Sequence, residues 1–239
     1  MAVACAWARA CWHGWSSVAS VARVTLFAGP SAQGLAPQLS MDGAIRLQPP
    51  VRRGDIDRLI EGVAEPGVAL VCDGVFQAGP AVSHAELVRA IDRGWQLWGV
   101  SSIGAIRAHE LRFEGMRGWG YVHAQFSRYE DFRDDELCLL HLPEAPYTAL
   151  TEALVNVRHA LETEGLRLGI THAAQRCLVD ELSAGWFGDR TPERLRELML
   201  GPARMVPAAA DALLRWLERH RVKTMDLQSL LVERPWQGP

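Results

Sequence analysis

Residues 97–111, LWGVSSIGAIRAHEL, decide the fold. Gln96 to Val100 is a short apolar run that reads as a strand. Two serines follow it, and a helical pattern then opens on Ala105, Ala108 and Leu111. The alanines predict a helix packed closely on a sheet. At such a strand-to-helix turn the first N–H groups, those of Ile103, Gly104 and Ala105, have no partner within the helix. They form a ready site for an anion or an oxyanion, and Gly104 and Ala105 leave room for a substrate carbonyl. Ser101 or Ser102 then has two readings, a nucleophile at the strand end or a helix cap. The order Gly99-Val100-Ser101-Ser102-Ile103-Gly104 uses the parts of a nucleophile elbow without matching its strict spacing.

Upstream, the pattern is that of strands alternating with helices. Val21 to Ala28 is a β-rich run ending in the turn signal Gly29-Pro30-Ser31. In an open parallel sheet, ligands gather at loops leaving the carboxyl ends of strands, so Ser31 is either a site residue or a turn residue. Pro49-Pro50 rules Ile45 to Gly54 out of a central strand. Asp55 reads as the N-cap of a short helix, Ile56 to Val63. Val68 to Cys72 is continuously apolar, as expected of a strand buried on both faces, and it delivers Asp73 to its carboxyl edge. Asp73-Gly74 reads equally as an Asx-turn. Ser83 and Glu86 form a capping box for a helix from His84 to Asp92, which Gly94 ends. His84 sits in that helix's first turn, where a positive charge is disfavoured, so a neutral imidazole there suits a base. Gln96 follows after a two-residue join, as in a βαβ unit.

Downstream, Arg107 and Glu110 are spaced for an i,i+3 ion pair, which is either a surface pair or part of a cleft that holds a carboxylate. Phe113 to Gly120 reads as a loop, Tyr121 to Phe126 as a strand, and Leu137 to Leu142 as another strand. Asp134-Asp135-Glu136 reads as a solvated cap rather than a metal site. From Ala149 the spacing becomes helical, with helices expected over Leu150 to Glu164, Thr171 to Leu182, Pro192 to Leu200 and Ala208 to His220. Val222 to Pro239 shows no site.

The chain has 239 residues, 49% hydrophobic and 22% charged, which excludes a disordered protein. A net charge of −3 gives no concentrated basic face for nucleic acid. The five cysteines are scattered without a CxxC pair, which argues against a zinc site and fits a reducing, cytoplasmic setting. No apolar run approaches the ~18 residues of a membrane helix. G-x-G-x-x-G and Walker patterns are missing, which lowers a nucleotide-binding reading. Residues 1–20 lack the layout of a signal peptide and read as a disordered leader. The expected organisation is α/β: a mostly parallel sheet with flanking helices over residues 21–145, followed by a helical C-terminal part over 146–239.

Several separated motifs together resemble the TfuA-like proteins. They are the aspartate-glycine-x-phenylalanine turn at Asp73, the alanine-valine-x-histidine helix start at Ala81 to His84, and the serine-x-glycine-alanine turn at Ser102. The arginine-alanine-x-glutamate-leucine helix at Arg107 follows, then Gly115-Met116-x-Gly118. Asn156 and Arg158 belong to a valine-asparagine-x-arginine element. The resemblance spans about residues 24 to 165. It implies a role beside a YcaO-type protein, which activates a peptide amide with ATP so that sulfur replaces oxygen. It also implies a thiocarboxylated ubiquitin-like carrier as the sulfur source, with sulfide released by hydrolysis and no cofactor or metal of the chain's own. The alternative is a non-catalytic adaptor that positions or activates the YcaO-type partner. For the hydrolase, Ser102 is the expected nucleophile, with Ser101 as its rival, and the N–H groups of Ile103 and Gly104 hold the oxyanion. His84, or failing that Asp73, takes the serine proton. Ser31, Arg107 and Glu110 are the expected substrate contacts.

Overall fold

The structure, a computed structural model, describes residues 24–35, 43–75, 79–130 and 132–238. The leader lies outside these residues. Five strands form one fully parallel sheet: β1 (Val24–Phe27), β2 (Ile45–Gln48), β3 (Val68–Val71), β4 (Gln96–Val100) and β5 (Arg117–Trp119), in the order β2-β1-β3-β4-β5. The chain steps outward from β1 to β2, then back across β1 to β3. That reversal opens a crevice at the carboxyl ends of β1 and β3, where doubly wound sheets hold their ligands. The sheet's period-two pattern serves two cores. Phe27, Ala69, Val71 and Leu97 face one side, under α1 (Asp55–Glu61), α2 (His84–Asp92) and α3 (Ile103–Glu110). Leu26, Leu70, Cys72 and Val100 face the other. The capping box of Ser83 and Glu86 is present.

A third core belongs to α5 (Leu154–Ala160), α6 (His172–Ala184), α7 (Pro192–Leu200) and α8 (Pro207–Arg219). These helices match the spacing read from sequence, except that α5 begins at Leu154 instead of Leu150. Arg190, 1% exposed, ties this bundle to the sheet unit: its guanidinium donates to the carbonyls of Leu182 and Asp135 and to the Asp135 carboxylate. Among the described residues no helix is long and apolar enough to cross a membrane.

Five local expectations fail. Tyr121 to Phe126 is not a strand but part of a helix, α4 (Gly120–Arg128). Leu137 to Leu142 is not a strand either. A 3-10 turn covers Asp134–Leu137, and the chain then runs irregularly with one bridge, His141 to Ala149. The stretch read as a loop, Phe113 to Gly120, contains β5. Asp55 is the first residue of α1, not its cap. Gly54 takes the cap position, and the Asp55 carboxylate accepts from the Arg52 N–H at 2.6 Å. Glu136 is not solvated: it is 4% exposed and bidentate to Arg158 at 2.6 and 2.9 Å.

The tail carries the largest departure. Val222–Glu233 is a helix, α9, that returns to the sheet and seals its second face with Leu227 and Leu230, together with Trp236. It also explains α4. The buried Asp226 carboxylate accepts from the N–H groups of Tyr121 and Val122 at 2.9 and 2.8 Å, capping α4 from a hundred residues downstream. Gly120 permits the contact, because a Cβ there would stand 2.3 Å from that carboxylate, and its φ of +88° suits glycine. A local alternation of apolar residues cannot announce a cap supplied by a distant helix.

Burial pushes the Asp226 carboxyl up to about 6, against the opposing pull of the two N–H groups. The folded state therefore takes up a proton at a higher pH than the unfolded chain does. The ionised carboxyl is a cost above pH 6, and that cost is relieved as the pH falls from 6 towards the ordinary carboxylate range. Wild-type protein should accordingly gain melting temperature relative to Asp226→Asn between pH 7.5 and pH 5. Thermal melts of the pair at both pH values would show it; a constant difference would mean that the N–H bonds outweigh burial.

Candidate active site

Loops from β1, β3 and β4 meet α9 around a cavity of about 70 Å³. Its lining includes Asp73, Gly74, Ser102, Ile103, Asp134, Cys138, His141, Phe187 and Lys223. After β1, a single 3-10 turn aims Gly29 and Ser31 at Asp73. The Asp73 carboxylate accepts from the Gly29 N–H at 2.8 Å, the Ser31 N–H at 2.9 Å and the Ser31 hydroxyl at 2.7 Å. These three bonds fix a buried carboxylate at the crevice and occupy Ser31, itself 3% exposed.

The two serines after β4 part company. Ser101 sits in left-handed backbone, φ +65°, fully buried, and its hydroxyl donates to the Lys223 carbonyl at 2.6 Å. A β-carbon in that conformation is uncommon and costs strain, which the buried hydrogen bond offsets. Ser102 occupies the N-cap position of α3, yet its side chain makes no capping bond. Its hydroxyl instead accepts from Lys223 Nζ at 3.2 Å. The cleft therefore belongs to Ser102.

Lys223 is the only lysine in the chain and is 3% exposed. Four hydrogen bonds from separate parts of the molecule hold it. Its N–H donates to Asn156 Oδ1 at 3.2 Å and its carbonyl accepts from Ser101. Its Nζ donates to the Leu137 carbonyl at 2.8 Å and to Ser102. Among the described residues no carboxylate lies within ion-pair distance of that amine. The polar pair Asn156 and Arg158 acts one step behind. Asn156 positions the Lys223 backbone and is itself held by Glu152, which also binds Arg221 at 2.8 Å. Arg158 anchors Glu136, the neighbour of the Leu137 carbonyl.

His84, Arg107 and Glu110 stand apart from this cavity's lining. His84 Nε2 lies 2.8 Å from Glu110, with about half of its side chain exposed. Arg107 pairs with the same carboxylate and donates to the Val82 carbonyl at 3.0 Å. Asp134, in the cavity lining, has its carboxyl raised first by desolvation and then by the Glu110 charge.

The expected oxyanion donors are corrected in one respect. The Gly104 N–H donates to the Cys72 carbonyl at 3.2 Å, and its missing side chain faces β3, not a substrate. The Ile103 N–H has no hydrogen-bond partner among the described residues. Neither cysteine at the site is a ready thiolate. Burial, then the Asp73 charge, holds the Cys72 thiol well above its ordinary value, and burial pushes Cys138 up to about 11. Among the described residues, no cluster of three or more His, Cys, Asp or Glu side chains could hold a metal.

Sequence reasoning missed Lys223 and His141. A lone lysine in a chain otherwise based on arginine was the available signal. The sequence model of a family described as TfuA-like protein matches residues 73–191, so Ser31 and Lys223 lie outside the matched span and Asp73, Ser102 and Asn156 inside it. No curated protein matches the chain.

Proposed function

The chain belongs to the TfuA-like proteins, and from that premise we propose that it is a Ser–Lys hydrolase that frees sulfide from a thiocarboxylated ubiquitin-like carrier for a YcaO-type partner. The observation that carries this reading is the Ser102–Lys223 contact: a hydroxyl at a strand end that declines its cap bond and meets a buried, carboxylate-free amine instead. Serine paired with lysine is a known variant of the nucleophile–base arrangement.

Lys223 Nζ takes the Ser102 proton as Oγ attacks the thiocarboxylate carbon, and the Ile103 N–H faces the developing oxyanion. Lys223 then passes that proton to sulfur, the C–S bond breaks and hydrosulfide leaves. An ester between the carrier and Ser102 remains for water to cleave. The narrow cavity suits the extended end of a carrier rather than its folded body.

Purified protein mixed with thiocarboxylated carrier should release sulfide without any partner. No sulfide from the protein alone, together with stable co-elution with a YcaO-type protein, would favour the adaptor instead.

A further inference from the structure

The ester left on Ser102 needs a base that activates water. Lys223 is engaged with the Ser102 oxygen, to which a proton returns as that ester breaks. Its Nζ is also enclosed by Ser102 and the Leu137 carbonyl. The remaining imidazole in the cavity wall is His141. It stands on the chain between the Asp134–Leu137 turn and α5, at the bridge with Ala149. Its Nδ1 lies 2.6 Å from the Leu142 carbonyl. A carbonyl can only accept, so Nδ1 carries the proton and the neutral ring keeps its lone pair on Nε2. That nitrogen has no hydrogen-bond partner among the described residues. Tyr147 packs edge-on against the ring, centroids 5.8 Å apart, and a flanking bond from the Leu142 N–H to the Thr148 carbonyl, 2.9 Å, holds the segment together. Tautomer and orientation are thus both set by neighbours, which is how a working base is held.

We propose that His141 is the general base that activates water to hydrolyse the carrier–Ser102 ester, a step that rests on the hydrolase reading above. The water oxygen bonds to the acyl carbon as its proton passes to His141 Nε2. The bond from that carbon to Ser102 Oγ breaks, and Oγ recovers a proton through Lys223 from the newly formed carboxylic acid. The carrier leaves as a carboxylate, and His141 gives its proton to bulk water. Over both steps, thiocarboxylate and water become carboxylate, hydrosulfide and one proton.

His141→Asn keeps a donor for the Leu142 carbonyl and removes the base. Mixed with excess thiocarboxylated carrier, it should release one equivalent of sulfide per protein in a burst, with steady turnover reduced about 100-fold or more. Intact mass should show the carrier esterified to the protein, and Ser102→Ala should show neither burst nor adduct. His141→Gln, with a melting temperature measured beside it, should reproduce the burst. Turnover at the wild-type rate, or burst and steady rate falling together in folded variants, would overturn the role of His141 alone. Wild-type protein that releases no sulfide would overturn the hydrolase reading and this step with it.

Discussion

Ser102→Ala should abolish sulfide release, by a factor of a thousand or more, and leave the melting temperature almost unchanged. An essential nucleophile is worth several powers of ten in rate. Removing a helix cap would cost roughly 1 kcal/mol instead, but the Ser102 hydroxyl makes no capping bond, so that cost does not arise. Lys223→Met should fall to a similar level, because the Ser102 proton then has no acceptor within reach. It should also be moderately less stable, since the buried Leu137 carbonyl loses its donor. The double variant should be no slower than either single one, because two groups that act as a unit are lost once. Ser101→Ala is the informative control: it breaks a buried bond to the Lys223 carbonyl, so stability should fall more than for Ser102→Ala while a measurable rate survives. Normal turnover by Ser102→Ala would end the nucleophile role and leave water as the attacking group.

The parts of this site differed in how legible they were. The placement of Ser102 and Asp73 just beyond strand ends could be read because a strand end announces itself locally, by an apolar run that stops at a turn. Ser101 and Ser102 could not be told apart, because the choice depends on a left-handed φ and on a lysine far away in sequence. Lys223 was invisible for a related reason. Its helix has a weakly amphipathic sequence, with Lys223 and Asp226 buried among Leu227 and Leu230, so the tail carried no clean stripe to mark it as packed. The parallel sheet with flanking helices needed only the alternation of strands and helices, whereas its strand order came from the structure. The strand assignments at Tyr121 and Leu137 failed where the true element is fixed from outside, α4 by Asp226 and the Asp134–Leu137 turn by Arg158 and Arg190. Asn156 and Arg158 were visible as polar residues in an apolar helix. Their use, holding the lysine from behind, required the third dimension.

Gly104→Ala should be the most damaging single methyl group in the sheet unit. A Cβ at Gly104 would lie 1.7 Å from the Val71 carbonyl oxygen and 2.6 Å from its carbon, both backbone atoms of β3. Gly99 makes the matching concession from β4, where a Cβ would meet the Gly104 carbonyl oxygen at 1.9 Å. Helix α3 therefore rests directly on two strands, and the Gly104 N–H bonds the Cys72 carbonyl across that contact. No rotamer change can relieve a clash with backbone, so the helix must lift away. Overpacking of this kind costs about 3 kcal/mol or more, roughly 10 °C of melting temperature in a chain this long. Lifting α3 also moves Ser102, which stands at the helix's first turn, away from Lys223. Sulfide release should then fall even in the fraction that stays folded. Ala108→Gly on the same helix, which removes a methyl group instead of adding one, should cost about 1 kcal/mol from helix propensity, plus whatever packing that methyl supplied. The alternative reading of Gly104, that it clears space for a substrate carbonyl, predicts a different pair of numbers: an unchanged melting temperature and a raised KM. Thermal melts and saturation kinetics on the same preparation decide between them, and a stable Gly104→Ala protein with weakened substrate binding would return this glycine from the helix–sheet contact to the active site.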